Sequence, residues 1–203
     1  MKNSSKSASL LLNNKTPVDA KLAATTLHLE YCFDKGINFR DRIIQLTDII
    51  EFPAFDFIDA AFTELEKESR KGITIKLNSP GGSVYEALAI VGRMEVSPCK
   101  ITVEGYGAVM GAATLILAAG QKRRLSHLAW FMHHEASVEA GEMRTAQLSA
   151  FSKQLEREDK QWAKAMAEYT TKDSRFWLRE GTHIDAYFTA EELLKLGVID
   201  EIF

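Results

Sequence analysis

The chain has 203 residues, 46% of them hydrophobic, with 25 Lys and Arg against 28 Asp and Glu for a formal charge of −3. That length suits one domain with a substantial core and requires no second one. Mixed charge argues against a broad nucleic-acid footprint, and the one basic cluster, Lys122-Arg123-Arg124, reads as a solvated strand edge.

Residues 1–26 are rich in Ser, Asn, Lys and Thr with little periodicity and read as a flexible leader preceding a single domain over 27–203. Leu10-Leu11-Leu12 is too short for a signal-peptide core, and nothing later reaches membrane-spanning length, so the cytoplasm is the expected location. Cys32 and Cys99 lack metal-ligand spacing and read as reduced thiols.

A strand is expected from Arg42-Ile43-Ile44-Gln45-Leu46. Pro53 then opens a helix with Phe55, Ile58, Phe62 and Leu65 on one face, ending near Gly72. Ile73-Thr74-Ile75-Lys76-Leu77 alternates as a second strand, with Ile73 and Ile75 facing the core and Thr74 and Lys76 facing out. Val84, Ala87, Leu88 and Val91 stripe the next helix before Pro98. Ile101-Thr102-Val103 gives a third strand, with Glu104 on its outer face. Met110 to Ala119 reads as a buried small-residue helix, and Ala129-Trp130-Phe131-Met132 as a further strand. Strands alternating with helices through short connections imply a mostly parallel sheet of right-handed crossovers, an α/β fold.

The longest helical pattern runs from about 141 to 169, where Leu148, Phe151, Leu155, Trp162, Met166 and Tyr169 recur at steps of three, four and seven. At about 1.5 Å per residue such a rod would reach roughly 40 Å, more than a small domain needs to cover itself.

Asn78-Ser79-Pro80-Gly81-Gly82-Ser83, Gly107-Ala108-Val109-Met110-Gly111-Ala112, Phe131-Met132-His133 and Asp185-Ala186-Tyr187-Phe188-Thr189-Ala190 follow one another in the order and at roughly the separations seen in the proteolytic subunit of the Clp protease. From about Arg40 to the C-terminus the chain resembles that family. The resemblance implies a crotonase-type fold with repeated strand-helix units, and a protruding handle helix through which two seven-membered rings pack face to face. It also implies a serine endopeptidase whose triad positions fall here on Val109, His133 and Asp185, with the oxyanion held by the backbone N–H groups of Gly82 and Met110.

Valine cannot attack a carbonyl, so the expectation is a catalytically inactive subunit. Such a chain would act as a structural or regulatory member of self-associated or mixed heptameric rings with paralogues, or bind peptide or unfolded polypeptide without cleaving it. No cofactor, metal, nucleic acid or membrane is called for. His127, His133, His134 and His183 include no compact ligand motif. The alternative is an active serine endopeptidase with a displaced nucleophile, for which Ser79, Ser83 and Ser126 are the candidates; an acyl-CoA-handling relative of the same broad fold is a third reading. Family members dock an ATP-driven unfoldase through apolar pockets on alternate residues of the second and third strands. Thr74, Lys76, Thr102 and Glu104 at those positions argue against ordinary docking, because burying an aliphatic loop against charges costs desolvation.

Overall fold

The computed structural model describes residues 36–203, apart from 138–140, 143 and 183, together with Thr25. The expected leader therefore lies outside the described residues except for Thr25. The described strands are β1 (Ile37–Asn38), β2 (Ile43–Thr47), β3 (Ile73–Ser79), β4 (Ile101–Met110), β5 (Lys122–Leu125), β6 (Trp130–His133), β7 (Ala186–Phe188) and β8 (Glu201–Ile202). The helices are α1 (Ala54–Glu68), α2 (Val84–Glu95), α3 (Ala113–Ala118), α4 (Thr145–Tyr169), α5 (Ser174–Gly181) and α6 (Ala190–Lys195).

The strands run in the order β1-β2-β3-β4-β5-β8, all parallel except the β1–β2 pair, and β6 branches from the far end of β4 and carries antiparallel β7. This is the expected α/β architecture with a mostly parallel sheet. Alternation fixes which face is buried. Ile73, Ile75, Ile101 and Val103 are fully buried, while Thr74 and Lys76 pair in register with Thr102 and Glu104 on the opposite, partly exposed face.

Two helix ends are fixed by recognisable chemistry. Ser83 caps α2, its hydroxyl accepting from the Glu86 N–H at 3.3 Å, and Thr189 with Glu192 forms a capping box at α6. Arg42 is buried and donates to the carbonyls of Leu65, Ser69, Lys71 and Gly72, placing a cation at the carbonyl end of α1.

The basic cluster is not a strand edge. β5 lies between β4 and β8, and Lys122, Arg123 and Arg124 are engaged by Glu201, Asp200 and the Glu104–Glu201 pair. The guanidinium of Arg124 also sits 4.7 Å from the ring centre of Phe203.

β4 differs from its expected course in a way that governs the site. Leu77 pairs with Gly105 but Ser79 pairs with Val109, so two residues of β3 span four of β4. The extra pair forms a bulge at Gly107, whose φ of +48° favours glycine; a Cβ there would lie 2.6 Å from Asn78 Oδ1. The same Oδ1 accepts the N–H of Ala108 at 2.9 Å and clamps the bulge. The strand thus continues through Met110, and the turn into α3 begins only at Gly111. Gly107→Ala should cost about 2 kcal/mol, from left-handed backbone strain plus the clash with Asn78, read as a lowered urea midpoint.

Candidate functional site

The sheet's ladder leaves one cleft of about 610 Å³ between the α4 helix and two abutting turns, 80–83 after β3 and 110–113 after β4. The turns touch closely: a Cβ on Gly81 would lie 2.6 Å from Met110 O and 3.1 Å from Ala112 N. Glycine is required at 82 as well, where φ is +142° and a Cβ would meet Ile50 O at 2.2 Å. Ile50 N donates to Gly81 O and Ser83 N donates to Ile50 O, which leaves the Gly82 N–H out of that bridge. Neither the Gly82 N–H nor the Ala112 N–H has an acceptor among the described residues, and both residues line the cleft. Two unpaired backbone donors on adjoining turns are the elements of an oxyanion site.

Val109 is not at this cleft. It is fully buried in β4, in register with Ser79 and Phe131, and its Cγ2 is directed toward Gly105 in the core. Met110 ends β4 opposite Met132, so it too lies in the ladder and not on the cleft wall. The residue that enters the cleft is Gly111, with φ of +50°. A Cβ built on Gly111 would lie 3.0 Å from Nε2 of His134, and its next neighbour would be Pro80 O at 3.6 Å.

The two adjacent histidines do different things. His133 follows Phe131 on the same buried face of β6 and is 5% exposed. Its ring stacks on Trp162 of α4 with centroids 4.1 Å apart and meets the edge of Trp177 of α5. Its Nε2–H donates to the Trp177 carbonyl at 3.0 Å. Burial holds its pKa down to about 4, so the ring is neutral and packed between helices at neutral pH. His134, just past the end of β6, lines the cleft together with His133. Its Nδ1 faces the Glu135 carbonyl at 2.6 Å; a carbonyl only accepts, so Nδ1 carries the proton and Nε2 presents its lone pair toward Gly111.

Asp185 is exposed and precedes β7. The β6–β7 register ends with His133 paired to Ala186, the residue after Asp185. The structure therefore brings Gly82, Gly111, Ala112, His133 and His134 to one cleft, the His133 ring resting against Trp162 and Trp177, and leaves Val109 and Met110 in the ladder. Sequence reading did not anticipate the bulge in β4; its signals were the paired Gly105 and Gly107.

The candidate replacement serines are engaged elsewhere. Ser83 caps α2, Ser79 Oγ is buried and bonded to Gly81, and Ser126 Oγ accepts from Leu128 N. The helix over the cleft begins at Thr145, not near 141, and its buried residues, Trp162, Ala163 and Met166, all lie in its second half. Phe151 and Leu155 face the cleft from the first half, and Leu148 is 50% exposed. Asp159 ties this helix to the loop after β6, its Oδ1 accepting from Ala136 N at 2.8 Å; burial raises its pKa. Among the described residues no cluster of three or more His, Cys, Asp or Glu is arranged to hold a metal, and no helix is long and apolar enough to cross a membrane. His183 lies outside the described residues.

The His133 packing has a pH consequence. Its folded pKa is about 4, against an ordinary value of 6.5, so between those values the unfolded chain binds more protons and stability rises with pH. The native state should lose about 3 kcal/mol as pH falls from about 6.5 to about 4, a slope that His133→Gln should flatten in urea titrations at stepped pH. Gly181→Ala should be strongly destabilising at any pH, because a Cβ there would lie 2.3 Å from His133 Nε2.

Comparison with known proteins places the whole described body in one group: the family model described as Clp protease matches residues 33–203. A Corynebacterium efficiens protein named ATP-dependent Clp protease proteolytic subunit 2 is 28% identical over 167 residues, covering 80% of this chain and 82% of that protein. Proteolytic subunit 1 of Corynebacterium glutamicum is 29% identical over 168 residues, covering 81% of this chain and 80% of its own length. Proteolytic subunit 3 of Nocardia farcinica is 30% identical over 169 residues, with 81% and 76% covered.

Proposed function

The chain belongs to the Clp protease family, and from that premise we propose that it is a proteolytic-subunit homologue whose cleft receives polypeptide but forms no acyl-enzyme. In this reading position 111 is the nucleophile position, His134 the base, the Glu135 carbonyl the group that holds its Nδ1–H, and the N–H groups of Gly82 and Ala112 the oxyanion donors. The observation that carries it is the placement of a side-chain-free residue, Gly111, where a Cβ would stand 3.0 Å from His134 Nε2. The motif resemblance implies Val109, His133, Asp185 and Met110 for these roles. Both assignments leave the nucleophile missing, and loss of the serine of a triad costs on the order of 10⁶ in rate in the subtilisin example. Local bonding of Ser79, Ser83 and Ser126 within their own turns favours this reading over a displaced serine; Ser83 and Ser137 are the serines that line the cleft.

A non-catalytic cytoplasmic subunit acts through assembly. The names of the relatives distinguish proteolytic subunits 1, 2 and 3, which supports mixed rings with paralogues as the working form. The exposed first half of α4 suits the role of a handle between rings. The outer face of β3 and β4 is occupied by polar contacts, with Glu104 held by Arg124 and Tyr106 and the Lys76 ammonium 5.8 Å from the centre of the Tyr106 ring. That face supports the reading that an apolar unfoldase loop is not accommodated there.

Gly111→Ser should gain hydrolysis of a fluorogenic peptide, at least about a hundredfold over the native chain. The gain comes despite about 1–2 kcal/mol of left-handed backbone strain. His134 must also yield by a few tenths of an ångström. Val109→Ser should gain nothing and lose about 1–3 kcal/mol by burying a hydroxyl in the core. Activity in the second variant and silence in the first would return the nucleophile position to 109. Co-expression with an active family member should give mixed rings by native mass spectrometry and a peptidase rate changed in proportion to incorporation; separate rings with an unaltered rate would contradict the assembly role.

A further inference from the structure

The side chains on the cleft wall are rich in acceptors. Glu135, Glu158 and Asp159 line it, no Lys or Arg does, and none of the three carboxylates is ion-paired among the described residues. Glu158 and Asp159 are consecutive on α4 and half-buried. Glu158 accepts from Tyr85 and Gln154 through Oε1 and Asp159 from Ala136 N through Oδ1, so Oε2 and Oδ2 accept nothing among the described residues. Burial raises the Asp159 pKa, and repulsion from Glu135 and Glu158 adds to it. His133 gives an independent sign. It is 5% exposed, its Nε2–H is donated to the Trp177 carbonyl and the ring is neutral, so Nδ1 is a lone-pair acceptor. Nδ1 has no partner, yet Arg124 Nε is the one sealed and unpaired side-chain polar atom among the described residues; Nδ1 therefore stays open to the cleft that His133 lines. An acceptor left open in an otherwise buried ring calls for a guest that donates.

We infer that the cleft selects polypeptide segments carrying an arginine or lysine side chain, whose cation sits against the Glu158 and Asp159 carboxylates. This rests on the reading that the cleft receives polypeptide, and it holds wherever the nucleophile position is placed. Phe151 and Leu155 line the same cleft and offer apolar surface to the aliphatic stem of a long basic side chain. Arginine fits best, because its guanidinium carries five donors and no acceptor and pairs with a carboxylate through two bonds at once. His134 adds no competing donor, since its N–H, on Nδ1, goes to the Glu135 carbonyl. An acidic guest would bring a further negative charge to three carboxylates that have no counter-charge on the wall, so the cleft discriminates by repulsion as well as by attraction.

The test is fluorescence anisotropy of the full chain with labelled peptides that differ only at a central residue, which is arginine, citrulline or glutamate. Citrulline keeps the shape of arginine without its charge. The arginine peptide should bind at least about tenfold more tightly than the citrulline peptide, and the glutamate peptide more weakly than either. That advantage should shrink to about twofold or less when Glu158→Gln and Asp159→Asn are combined, since the amide oxygens keep the bonds from Tyr85 and Ala136 N. It should persist in Glu191→Gln, an exposed residue of α6 outside the cleft. Saturable binding with equal affinity for arginine and citrulline would overturn the inference and leave the polypeptide reading standing. An arginine preference that survives the double variant would also overturn it, because the cation would then be recognised elsewhere. Free agmatine competing as well as the arginine peptide would assign the site to a small cation, with the same consequence. Absence of saturable binding by all of the peptides would remove the polypeptide reading and the inference together.

Discussion

The two-residue bulge at Gly107, clamped by Asn78, is the constraint on which the rest of the site depends. It lengthens β4 by two residues relative to β3, so Val109 remains in the ladder with a fully buried side chain and Gly111 takes the turn. A slip of one residue in that strand would exchange core and cleft faces; a bulge of two preserves the alternation and moves the turn. The left-handed Gly107 and the Asn78 Oδ1 to Ala108 N–H bond are local, yet they set where β4 ends and the turn at Gly111 begins.

The second support is the aromatic packing around His133. Trp162 of α4 and Trp177 of α5 hold that neutral ring between them, and Gly181 leaves it room. This fixes the end of β6 at the cleft, while the first half of α4 extends beyond the buried half as the cleft's upper wall. His133 is held by packing, and both it and His134 line the cleft. The polar strip of Lys76, Glu104 and Arg124 is a separate feature of the opposite sheet face, and its ion pairs matter more as a surface that disfavours apolar partners than as a source of stability.

Much of this was legible in the sequence. The strand faces of Ile73, Ile75, Ile101 and Val103, the crossover helices and the long helix ending at Tyr169 all follow from apolar periodicity, because burial on one face leaves a regular trace. The family followed from the Gly81-Gly82 turn, the Gly107-Ala108-Val109-Met110-Gly111-Ala112 segment, Phe131-Met132-His133 and the later Asp185 segment. The geometry of the site was less accessible, because the bulge in β4 is a relation between two strands that spacing alone does not encode. The basic run at 122–124 misled for a related reason: its carboxylate partners Asp200 and Glu201 come from the far end of the chain.

The account stands on position 111 being the point where a nucleophile would meet the base. Fluorophosphonate labelling of Gly111→Ser, read by intact mass and peptide mapping, measures this directly. The account predicts a single adduct on the introduced serine that disappears when His134→Gln is added. An unlabelled but folded Gly111→Ser variant, or an adduct that persists without His134, would contradict it.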